Sequence, residues 1–103
     1  MGHAVIAYFL LASAPSESAK NDILLKMEDR LIAAINENGV GEFDGIERGR
    51  GAYIMYMYGP NADQLFAVVE PILKSEQVAR GSFVIKRYGS TEDENAREVR
   101  VPL

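Results

Sequence analysis

Apolar positions along the chain change their period five times, and the changes divide it into strands and helices. Residues 4–11 (AVIAYFLL) form an apolar run of strand length. From residue 16 or 18 to about 38, Leu24, Met27, Leu31 and Ile35 recur at the spacing of one helical face. Ser16 or Ser18 can cap the start of that helix, and Gly39 stands in the C-cap position. Residues 40–47 alternate weakly, interrupted by glycine, and read as a second strand. Arg48-Gly49-Arg50-Gly51 follows as a hairpin tip, since two glycines in four residues permit the positive φ that a reversal needs.

Residues 52–58 (AYIMYMY) are the third strand, apolar or aromatic on both sides and closed by Gly59-Pro60-Asn61. Asn61 can cap a second helix, with Gln64 three residues on in the capping-box position. Leu65, Phe66, Val69, Ile72 and Leu73 give that helix its apolar face, and Pro71 should kink it or loosen its last turn. Residues 82–88 (SFVIKRY) are a fourth strand. Residues 89–103 are a polar, acidic tail around Glu92-Asp93-Glu94, whose last residues read either as a short edge strand or as a cover for another surface.

The order βαββαβ predicts a single α+β domain of ferredoxin-like type: an antiparallel four-stranded sheet in the order 4-1-3-2, with both helices on one face. The second and fourth strands are then edges. Period-two geometry divides the first strand into Val5, Ala7, Phe9 and Leu11 against Ile6, Tyr8 and Leu10. It divides the third into Tyr53, Met55 and Met57 against Ile54, Tyr56 and Tyr58. Either parity puts apolar and aromatic residues on the face without helices, a pattern that marks an interaction surface. Tyr8, Tyr53, Met55, Tyr56, Met57, Tyr58, Arg87 and Tyr88 are therefore the candidates for an interface or a pocket.

Gly41-Glu42-Phe43-Asp44-Gly45, the run from Tyr56 through Gly59-Pro60-Asn61-Ala62-Asp63-Gln64 to Phe66, Val69-Glu70-Pro71-Ile72-Leu73 and Arg87-Tyr88-Gly89 add a resemblance. On these motifs, residues 39–89 resemble a group of small bacterial proteins of unassigned function. The resemblance implies a fold and a bacterial origin, and it carries over no catalytic residue.

Composition narrows the chemistry. The chain has no cysteine, which excludes disulfides, thiolate metal sites and cysteine nucleophiles, and is consistent with a cytoplasmic location. Its net charge of −4 disfavours nucleic acid and anionic membranes as partners. RNA recognition is further disfavoured because Arg50-Gly51-Ala52-Tyr53-Ile54-Met55-Tyr56-Met57 keeps only the Arg-Gly start of the RNP1 pattern. His3, the one histidine, precedes the first strand, so neither a histidine metal site nor a triad is expected, and no cofactor is. Glu42 and Asp44 project to one side of the second strand with Glu47 nearby; they serve either as acid-base or cation ligands or as charges that protect an edge.

Two function classes remain. One is a non-enzymatic interaction or regulatory module that forms a homodimer through its open sheet face. The other is a small-molecule binder or small enzyme of the dimeric α+β-barrel type, in which two open faces enclose a tyrosine-lined pocket with Arg87 or Glu42 as polar groups.

Overall fold

The computed structural model describes residues 2–10, 17–49, 51–75, 81–90 and 92–103. Its elements are β1 (His3–Leu10), α1 (Glu17–Asn38), β2 (Glu42–Gly49), β3 (Ala52–Gly59), α2 (Ala62–Leu73), β4 (Phe83–Arg87) and β5 (Glu98–Pro102). Leu11 at the expected end of the first strand, the cap Ser16 and the hairpin residue Arg50 lie outside the described residues. Ser18 lies within α1.

Helix α1 buries Leu24, Met27, Leu31 and Ile35, the four positions of its predicted face. Its end is a Schellman motif: Gly39 has φ +60°, its N–H donates to the Asn36 carbonyl, and the Val40 N–H donates to that of Ile35. Helix α2 starts where Asn61 Oδ1 accepts from the N–H groups of Asp63 and Gln64, at 3.0 and 3.1 Å. Pro71 falls in its last turn, where few intrahelical bonds follow it, and the helix ends two residues later.

All pairs in the sheet are antiparallel, and the strand order is β2-β3-β1-β4-β5. The expected sheet of four strands in the order 4-1-3-2 thus needs correction. The C-terminal segment pairs with β4 as a fifth strand, so that β4 is interior and β5 is the edge. Alternating Val99 and Val101 make this possible, because Val101 packs against the helix-side core while Glu98 and Arg100 remain exposed. The tail is therefore an edge strand and not a cover.

Both helices pack on one face, over Val5, Ala7, Phe9, Tyr53, Met55, Met57 and Val84. Gly59, at the end of β3, lies where the lead-in to β2 crosses it. A Cβ there would stand 2.2 Å from the Val40 carbonyl oxygen, and one on Gly41 would stand 2.0 Å from that of Tyr58. Two glycines facing each other thus let the backbones cross in contact.

Candidate functional site

The other sheet face is assembled by cross-strand register. One row across it runs Glu42, Tyr58, Ala4, Arg87, Glu98; the next Gly45, Tyr56, Ile6, Ile85, Arg100; the third Glu47, Ile54, Tyr8, Phe83, Pro102. Its middle is apolar, aromatic and half-buried: Tyr8 stacks on Phe83 with ring centroids 4.8 Å apart, and small Ala4 is fully buried. At one end of the face Arg87 donates to carbonyls of the β4–β5 connection.

The two margins of the face differ in charge. On the β2 side a bulge between Phe43 and Gly45 places an extra residue, Asp44, opposite Tyr56. The extra residue shifts the parity of the strand, so that Glu47 joins Glu42 and Asp44 on the open side. Glu47 Oε2 accepts from the Tyr56 hydroxyl at 2.8 Å, and that bond, with burial second, pushes the Tyr56 phenol up to about 12. Burial also raises Tyr58, as does the charge of Asp44. On the β5 side Arg100 contacts the ring of Phe83, its guanidinium carbon 3.8 Å from the ring centroid.

The eight candidate residues fall in three places. Tyr8, Tyr56 and Tyr58 line the open face. Tyr53, Met55 and Met57, at 1, 0 and 0% exposure, are enclosed beneath the helices and can neither meet a partner nor line an open-face pocket. The Tyr53 hydroxyl is buried there without a hydrogen-bond partner among the described residues, and its pKa is raised chiefly by that burial.

Arg87 stands at the end of the open face but holds the β4–β5 connection together. Its guanidinium donates to Glu98 Oε2 at 2.7 Å and to the carbonyls of Ser90 and Asp93. Tyr88 projects to the helix side, where its hydroxyl donates to Asp63 Oδ1 at 2.6 Å.

Tyr88 leads to a second polar cluster, at the start of α2, that the sequence does not announce. Lys86 Nζ also donates to Asp63 Oδ1, at 3.1 Å. His3 Nδ1 accepts from the Ala62 N–H at 2.9 Å, which requires a neutral ring protonated on Nε2, and the ring meets Tyr88 edge-on at 5.6 Å. The Tyr88 and Lys86 bonds hold the Asp63 carboxyl below the usual carboxylate range, and Asp63 in turn raises Lys86. The Asp63 charge therefore supports the fold above the ordinary carboxylate pKa and loses that effect as the pH falls through its lowered value. The cluster pins α2 to β1 and β4. His3 is thus a docked strand residue, paired in register with Gly59.

No group of three His, Asp or Glu side chains among the described residues is placed to hold a metal ion. No helix among them is long and apolar enough to cross a membrane. Comparison with protein-family models, with curated proteins and with solved structures finds no match to this chain.

Proposed function

We propose that the protein is a small non-enzymatic interaction module, a ferredoxin-like domain extended by one strand, which works as a homodimer joined through its open sheet face. The observation that carries this reading is the contrast between the finished helix-side core and the apolar rows opposite it, with no covering segment among the described residues. Face-to-face packing of two such sheets removes the rows from water and leaves the charged margins at the rim, the usual anatomy of an association surface. The test is sedimentation equilibrium of the wild type and of Tyr56→Lys. A wild-type dimer and a folded, monomeric variant are expected; a wild type that stays monomeric at high micromolar concentration defeats the reading.

The Tyr56–Glu47 pair favours a second reading, in which the two faces enclose a small molecule. A phenol and a carboxylate above an apolar floor are the polar groups such a pocket uses for orientation. A crystal structure of the dimer separates the two, since interdigitated Tyr56 rings leave no ligand space, whereas splayed rings would enclose a cavity of about 300 Å³ or more.

A further inference from the structure

The margins of the open face say how two copies meet. A closed pair of identical chains is related by a two-fold axis, and for two sheets stacked face to face that axis lies in the plane between them. An axis running across the strands puts β2 over the partner's β2 and reverses the rows, so that Asp44 faces its own copy and Glu42 faces Glu47 of the partner subunit. An axis running along the strands exchanges the margins, β2 over β5, while every row stays opposite itself. The modest rotation between aligned sheets does not undo this exchange.

Row by row, the second axis brings Arg100 over the partner's Gly45, between Asp44 and Glu47 of the partner subunit. We infer that the dimer axis runs along β1 and that Arg100 of each copy docks on the acidic margin of the other. The inference rests on the face-to-face homodimer proposed above and specifies its geometry.

Three observations converge on it. Arg100 is held at the β5 margin of the open face by its cation–π contact with Phe83. Among the described residues Arg100, Glu42 and Asp44 take part in no ion pair, whereas Arg87 and Glu98 already satisfy each other. Gly45 does not need to be glycine for the chain's own sake, since a Cβ there meets nothing within 4 Å and its φ is ordinary. The space it leaves is the space Arg100 enters.

Charge exchange tests the geometry. Arg100→Glu and Glu47→Arg are made separately, confirmed folded by thermal melts, and followed by sedimentation at low salt, alone and as an equimolar mixture. Each variant alone carries two like-charge contacts per dimer, so its dimer Kd is expected to rise at least about tenfold, while the mixture restores both contacts and returns to within about threefold of wild type. If Glu47→Arg alone dimerises more tightly, the axis runs across the strands and the new arginine meets Glu42. If neither variant nor the mixture differs from a dimeric wild type, the docking of Arg100 is wrong and the homodimer stands. A monomeric wild type overturns both.

Discussion

The two faces of one strand make the sharpest comparison in this protein. Tyr53, Met55 and Met57 lie beneath the helices at full burial, whereas Ile54, Tyr56 and Tyr58, interleaved with them, stay half-exposed. Residue types of much the same apolar character thus serve two surfaces, one covered by the helices and one left uncovered by the described residues. The difference lies in what polar groups each side accommodates. The helix side encloses a tyrosine hydroxyl without a partner among the described residues, while the open side gives Tyr56 a carboxylate and sets charge along both margins.

Lysine at adjacent positions breaks the comparison most forcefully. Met57→Lys buries an unpaired ammonium against Val5 and Phe43 and is expected to cost roughly 3–5 kcal/mol, a large part of the stability of an ordinary domain. Tyr56→Lys is expected to keep a cooperative melt, because its charge reaches water in the monomer. Chemical denaturation of both variants checks this, and equal loss from both would mean that the open face is as closed as the core.

Two glycines sharpen the comparison at the level of the backbone. Gly59→Ala drives a Cβ into the Val40 carbonyl and is expected to lose roughly 1–3 kcal/mol, whereas Gly45→Ala meets no atom of the chain and should leave the melt of the monomer unchanged. A stable Gly59→Ala variant would show that the β2 lead-in can move away from β3.

How much of this was legible in the sequence follows from periodicity. Leu24, Met27, Leu31 and Ile35 predict the buried face of α1 because helical spacing separates core from solvent, and Gly39 predicts its end because few other residues tolerate its φ. The parity of β3 was not legible, since a strand apolar on both sides contains no contrast to read. Nor was the role of the C-terminal strand, whose Val99 and Val101 alternate with charges in a form that suits an edge or a tail equally. The bulge at Asp44 hid Glu47 from the open face, because one inserted residue exchanges the two sides of everything after it. His3 appeared isolated because its partners, Ala62 and Tyr88, are remote in sequence.

Alkaline pH distinguishes the faces by a smaller effect. A tyrosine of ordinary pKa 10.0 loses its proton in the unfolded chain while folded Tyr56, raised to about 12 by Glu47 and burial, still holds it. The unfolded state then binds fewer protons than the folded one, so the contribution of the pair is fully present below pH 10 and fades as the pH rises toward 12. Denaturant midpoints measured from pH 9 upward should fall for the wild type and fall less for Tyr56→Phe; parallel curves would sever the link to Glu47.

The smallest effect is expected at Tyr53. Its hydroxyl is buried without a partner among the described residues, so Tyr53→Phe removes a desolvated group and no hydrogen bond, and stability should rise by about 0–1 kcal/mol. A loss of more than about 1 kcal/mol would reveal that the hydroxyl is bonded after all.

Association through the open sheet face is read out by side-chain NMR with a soluble paramagnetic probe, recorded across a dilution series. Methyl groups of Leu31, Leu65 and Val84 should be shielded from the probe at every concentration, since the helices bury them. Those of Ile6, Ile54 and Ile85 should be broadened when dilute and become shielded as concentration rises, while exposed Leu25 on the outer side of α1 stays broadened throughout. Open-face methyls that remain equally accessible at every concentration, or shielding that appears at Leu25 instead, would rule out association through this face.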